Sequence, residues 1–392
     1  MSFTADIESR PVPARRQHAL DGLRGWAALA VTFYHGILHF DLSLIDRVLY
    51  QPILLVSWME LPVKALLIVF NGESAVLIFF ILSGLVLRGA LERMTALPML
   101  TAAALFTLRR LARIYPAVVA CMLLFFAISF ACARVGITTF PHFLPIQLLQ
   151  NITLYFPAMH GPSWSVQVEI CAVPFLLAAE ALRRRWGVTG LIAALIYAMV
   201  AIEYPMLVLW LPALWPYLFA FYLGMLLGES AVADAARRLY PATWIVALVL
   251  FLVFRHITAR AAISGLIAQV MAGGLLVACV ASHEDALAAF LRRPVSQFLG
   301  RISYSFYLLN VIALYSVWAV IEAWVATPAR HAVAWGLLSA VVSVLLTIPP
   351  AALSERLIEQ PGIALGRILT RWRPPLAGAR LSAPAAESQA RP

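Results

Sequence analysis

The chain has 392 residues, of which 62% are hydrophobic and only 12% charged, with a mean hydropathy of +0.87. A water-soluble domain of that composition could not cover its own surface, so a bilayer is its natural solvent and a large soluble catalytic domain is excluded. The net charge of +10 raises nucleic acid as a partner, and the placement of the arginines decides against it.

A crossing needs roughly 20 apolar residues. Apolar runs between charged or Pro/Gly-rich breaks give ten expected spans, at 22–39, 63–87, 114–133, 164–182, 188–202, 205–227, 242–256, 261–281, 302–325 and 332–353. The expected fold class is therefore all-α, a polytopic transmembrane helical bundle. Pro174, Pro205, Pro212 and Pro216 fall in the fourth to sixth runs, where they break or kink a helix. An even number of spans puts both termini on one side. With that side cytoplasmic, 23 of the 29 basic residues lie inside, as the positive-inside rule requires. The same asymmetry accounts for the net charge without nucleic acid.

The layout follows: a flexible cytoplasmic arm at 1–18, a transmembrane domain at 19–373 and a disordered cytoplasmic tail at 374–392. The first span lacks a small-residue cleavage site behind it and reads as a true crossing, not a removed leader. The outer segment 134–162 is too aromatic for a simple linker and is expected to fold as a lid or re-entrant stretch. Cys121, Cys132, Cys171 and Cys279 all lie in apolar stretches with no C-x-x-C spacing, so they read as packing residues and no metal site is expected.

Chemistry is sought where charge sits inside these runs. Arg24 and His35 are eleven residues apart in the first span; at about 100° per residue they share one face, separated by roughly 16 Å along the axis. Neutral imidazole is the ordinary general base near pH 7, although a histidine here would also serve by bonding a neighbouring helix. Arg110 and Arg113, spaced i,i+3 with Arg109 beside them, suit an anionic ligand such as the polyphosphate of coenzyme A. They equally suit a positive-inside anchor. Glu73 and Glu169 are carboxylates within apolar runs, fit either to orient or proton-couple His35 or to pair with an arginine for structure. Ser83 and Gly84 mark a helix kink or a close-packing point. Tyr155, Phe156 and Trp164 suit stacking on a sugar ring or an interfacial aromatic belt.

Taken in order, these stretches resemble the acyltransferase-3 family of membrane O-acyltransferases. LDGLRGWAALAVTFYH is similar to the family's Arg-x10-His signature through Arg24 and His35, and FFILSGLVL to its second-span motif around Ser83. RRLARIYP resembles its Arg-x-x-Arg motif, SWSVQVE its Trp-Ser-x-x-x-Glu segment through Trp164, Ser165 and Glu169, and GRISYSFYLLN a late-helix segment around Ser303, Tyr304 and Tyr307. ERLIEQP resembles the closing motif through Arg356, Glu359 and Pro361. Two positions depart from the pattern: Asn310 stands where members commonly carry a histidine, and Glu355 where an aromatic is usual.

The resemblance implies an acyl-CoA-dependent O-acyltransferase of a bacterial inner membrane, with no bound cofactor. The donor, acetyl-CoA first, would enter from the cytoplasm onto Arg110, Arg113 and Arg109. His35, with Arg24 and Glu169, would pass the acyl group to a hydroxyl of an outer acceptor, a polysaccharide or lipid-linked sugar. Membrane lipid and polysaccharide-assembly proteins are the further partners expected. From another class, a proton-coupled exporter using His35, Glu73 and Glu169 as its relay is the competing reading, though no inverted repeat is evident between the halves.

Overall fold

The computed structural model describes residues 14–370 apart from 158, 212 and 258–262, with side chains from residue 18 onward. The tail expected to be disordered, and residues 1–13 of the expected arm, lie outside this range. All regular secondary structure among the described residues is helical, with no strand among them.

In chain order the helices are α1 Ala14–His39, α2 Leu61–Val69, α3 Gly72–Glu92, α4 Met99–Arg134, α5 Pro145–Ile152, α6 Ser163–Cys171, α7 Val173–Trp186 and α8 Val188–Glu203. There follow α9 Leu218–Leu227, α10 Ser230–Arg237, α11 Thr243–Ile257, α12 Ile263–Ser282, α13 Ala286–Leu291, α14 Pro294–Trp324, α15 Ala332–Ser354 and α16 Gln360–Leu369. Each of the ten apolar runs thus holds helix. By length and composition six helical stretches suffice to cross a membrane, and seven if α9 and α10, bent by 77°, form one span.

The difference from ten has local causes. α1 carries Arg24, His35 and His39 and is not among the six. α8 and α11, with 16 and 15 residues, reach only about 24 Å at 1.5 Å per residue. The sixth run is helical only from Leu218, because Pro205 and Pro216 remove donors from the stretch before it, and Leu209, Trp210 and Ala213 there take positive φ. Pro174, by contrast, sits in the first turn of α7, where its missing N–H costs nothing, and α6 and α7 continue as one span, Ser163–Trp186.

Other elements differ usefully from expectation. α1 begins at Ala14, so the last residues of the segment read as an arm are helical. α4, at 36 residues, is about 54 Å long, against a hydrocarbon core of about 30 Å. It is thus longer than one crossing needs, and it carries Arg109, Arg110 and Arg113 in its first half.

Backbone contact between helices sets the rest. A Cβ on Gly25 would stand 2.6 Å from Gly300 N, and one on Gly84 only 2.0 Å from Phe221 O. These positions bring α1 onto α14 and α3 onto α9 as small residues do in membrane bundles. α3 runs unbroken through Ser83 and Gly84, so that site is a close-packing point and not a kink. One large apolar cluster centres on α3, α9 and α12, a second on α1, α4 and α14, and Phe79 packs on both. The candidate site opens beside Phe79, in the seam.

The segment 134–162 is folded, not a linker. α5 lies within it, Phe140, Asn151, Leu154, Met159 and His160 are buried, and Thr139 Oγ1 donates to Ala319 O on α14 at 3.2 Å.

Candidate active site

Five helices deliver the motif residues to one narrow cavity. Arg24 comes from α1, Ser83 from α3, Arg110 and Arg113 from α4, Ser165 and Glu169 from α6, and Ser303, Tyr304 and Tyr307 from α14. The i,i+3 and i,i+4 spacings explain how each helix presents its pair on one face. Arg110 and Glu169 meet at 3.1 Å between Nη2 and Oε2, and Ser83 Oγ donates to Glu169 Oε1 at 2.7 Å. The pair is close but off line: Nε and Nη2 of Arg110 are buried with no hydrogen-bond partner. Donors of a buried cation left unpaired point to an anionic or carbonyl ligand.

At the far side of the cavity, Ser165 Oγ and Tyr307 OH are 2.8 Å apart and both lie within reach of Pro162 O, at 3.0 and 3.1 Å. Tyr304 OH donates to Ile114 O at 3.0 Å, fixing its ring between α14 and α4. Trp164 does not line the cavity; it packs edge-on to Phe80 and against Tyr217. Tyr155 and Phe156 are exposed.

Arg24, Arg113, Ser303 and Tyr304 also line a second, wider cavity of ≈ 680 Å³, so the two adjoin. Glu359 reaches this wider space from a single π-helical turn, Glu355–Glu359, between α15 and α16. Such a turn inserts one residue into the helical register and re-aims side chains. Glu359 is buried, with Ser305 Oγ 3.4 Å from its Oε2. Glu355, the departure from the closing motif, is buried and accepts from Gln360 Nε2 at 2.9 Å.

His35 lines neither of these cavities. It lies three turns beyond Arg24 on α1, half-buried, edge-on to Tyr34, and makes no hydrogen bond to a described residue. Both ring nitrogens are thus unengaged. Asn310 is buried on α14, donating to Tyr307 O at 2.7 Å, while its Oδ1 has no partner.

Two expected residues lie elsewhere. Glu73 is in the first turn of α3, where a carboxylate complements the helix N-terminus; Tyr50 donates to it and Arg255 Nη2 stands 3.6 Å away. Of its two readings, pairing for structure is the one these contacts fit. Arg109 points away from Arg110, its Nε donating to Thr370 Oγ1 at 2.6 Å, and ties α4 to the end of α16.

His160 was not singled out by its sequence. It is fully buried, with Nε2 2.8 Å from Leu308 O and Nδ1 2.8 Å from Ser163 Oγ. A carbonyl only accepts, so Nε2 carries a proton, and in the neutral ring Nδ1 then accepts from the serine hydroxyl. Burial pushes its pKa down to about 4, and a charge on nearby His35 would act in the same direction. The sole sequence signal is its place two residues before Pro162 in the Trp-Ser segment.

A family model described as an acyltransferase domain, acyltransferase-3, matches residues 17–351. The chain belongs to the acyltransferase-3 family, and with its apolar helices it is a membrane acyltransferase. Comparisons with curated proteins and with solved structures found no match.

Proposed function

We propose that the protein moves an acyl group, acetyl first, from cytoplasmic acyl-CoA to a hydroxyl of an acceptor on the outer side of a bacterial inner membrane. The observation that carries this reading is the pair of adjoining cavities. The wide one is lined by arginines, and it narrows past Arg24 and Arg113 to Arg110, Glu169 and Ser165. A polyphosphate head fits the first and a slender thioester arm the second.

The wide cavity lies at the end of the bundle where α1 begins. With ten spans and cytoplasmic termini, the shorter helices crossing beside their neighbours, that end faces the cytoplasm, where acyl-CoA is found. His35, roughly 16 Å further along α1, then lies toward the outer side. Its free ring nitrogen takes the proton of the acceptor hydroxyl as the oxygen attacks the thioester carbonyl. The new C–O bond replaces the C–S bond, and coenzyme A leaves as thiolate. Arg110 and Ser165 line the path of the carbonyl, where N–H and O–H donors favour developing oxyanion charge. A polysaccharide or lipid-linked sugar is the acceptor class preferred.

The test is direct. Purified protein in vesicles is incubated with radiolabelled acetyl-CoA and candidate acceptors, beside a comparison of cell glycans by mass with and without the protein. Labelled product from wild type and none from His35→Ala is the expected result. Near-normal transfer by that variant removes His35 from the mechanism, and no product from any acceptor sinks the reading.

A further inference from the structure

Buried or half-buried arginines outside the cavities tend to carry a carboxylate partner: Arg88 has Glu92 and Glu229, Arg183 and Arg184 share Glu180, and Arg292 has Glu284. The wide cavity gathers arginines that have none. Arg24, Arg113, Arg301 and Arg367 all line it, and none forms an ion pair or a side-chain hydrogen bond with a described residue. The carboxylates facing them are Asp21 and Glu359, two against four, so the space holds an excess of positive charge.

The four divide by depth. Arg24 and Arg113 belong to both cavities, whereas Arg301 and Arg367 line only the wide one. The outer two come from different elements and are held independently. Arg301 follows Gly300, which packs on the backbone of Asp21, and its guanidinium lies 5.5 Å over the Phe298 ring, another wall of the cavity. Arg367 rides on α16, whose Gly362 and Gly366 rest directly on α4 at Ala112 and Pro116. Both side chains are exposed, so neither is needed to fill the core.

Two unpaired planar forks across a cavity of ≈ 680 Å³ form a clamp for phosphate. We propose that Arg301 and Arg367 grip the phosphates at the nucleotide end of the donor, so that the enzyme selects a thioester bearing a phosphorylated nucleotide over one that ends in bare pantetheine. This rests on the acyl-CoA reading and adds to it the two residues that discriminate among donors. The shared chemistry is phosphate. An anionic lipid headgroup offers the same chemistry from another source, and the experiment separates the two.

Wild type, Arg301→Gln, Arg367→Gln and the double variant are placed in phosphatidylcholine vesicles with and without phosphatidylglycerol. They are given acetyl-CoA, acetyl-3′-dephospho-CoA or acetyl-pantetheine, and binding of adenosine 3′,5′-bisphosphate is measured separately by calorimetry. Each single variant should raise the acetyl-CoA KM about tenfold with kcat within twofold, and weaken bisphosphate binding in proportion, whichever lipid is present. The double variant should lose most of the wild-type preference for acetyl-CoA over acetyl-pantetheine, and Arg→Lys at either position should keep part of it.

Unchanged donor preference, or an equal loss on all three donors, overturns the proposal. So does a defect seen only with the anionic lipid, which would assign the arginines to headgroups. Failure of the broader reading looks different: wild type would then transfer nothing from any donor. The binding measurement still judges the clamp in that event, and bisphosphate binding unaffected by either variant would refute it.

Discussion

Arg110 and Glu169 face one another at 3.1 Å across the narrow cavity, with the second carboxylate oxygen held by Ser83 at 2.7 Å. Both side chains are largely shielded, at 8% and 20% exposure, so removing one partner strands the other as a buried charge. Glu169→Gln is therefore expected to cost ~2 kcal/mol of stability, visible as a lower melting temperature in detergent. Combining it with Arg110→Gln removes both charges and should restore much of the loss. Transfer activity then tests the pair as a whole. If the two charges only balance one another, the double variant regains activity with its stability; if Arg110 serves the carbonyl as proposed, a stable double variant stays inactive.

His35 offers the opposite combination. It bonds to no described residue and is only half-buried, so His35→Ala should change stability by less than ~1 kcal/mol. A general base contributes about 10²–10⁴-fold to rate, and a loss of that size in acetyl transfer at unchanged melting temperature is the expected outcome. A large fall in melting temperature would instead assign His35 to helix packing.

Several of these relationships could be read from residue types and spacing. Arg24 and His35 share a helix face by arithmetic alone. Ser83, Ser165, Glu169, Ser303 and Tyr304 converge on the narrow cavity from runs in which any polar side chain is conspicuous, and Arg110 and Arg113 join them from the mouth of the third run. Others were hidden for physical reasons. The positive-inside pattern supplies one explanation for every arginine, and so conceals that Arg301 and Arg367 face a cavity. Glu73 read as an intramembrane carboxylate because the run 63–87 looked continuous. The stretch Trp58–Glu92 does pass as one span, but a local break at Phe70 and Asn71 within it puts Glu73 in the first turn of α3, beside Tyr50 from a loop that no periodicity could place. His160 lies in an irregular segment, and its partner Leu308 is 148 residues away.

The three neighbouring arginines of α4 give a controlled comparison. Arg113 lines both cavities, whereas Arg109 is spent on Thr370. Arg113→Lys keeps the charge but loses the planar fork, and a rise of about tenfold in the KM for acetyl-CoA, equivalent to ~1.4 kcal/mol, is expected. Arg109→Lys should leave the donor dependence at its wild-type value while lowering the melting temperature, since it loosens α16 from α4. Equal effects of the two substitutions on KM would show that the cluster acts only as a diffuse positive field.

The ring of His160 sets a pH window for stability. Its folded pKa is pushed down to about 4 by burial, against an ordinary 6.5, so between those values the unfolded chain binds a proton that the native ring refuses. The contribution is fully present above pH 6.5 and is lost as pH falls toward 4, at about 1.4 kcal/mol per pH unit within the window. His160→Phe removes the titration and with it the bonds to Leu308 and Ser163. Each polar group left unpaired costs about 1–3 kcal/mol, so the variant should melt below wild type at pH 7.5. The gap should then narrow as the pH is lowered through the window, because only wild type carries the buried imidazole. Melting curves of the two proteins across that range check the sign: a gap that stays constant or widens on acidification would mean that the native ring is already protonated, and that Nδ1 donates to Ser163 instead of accepting from it.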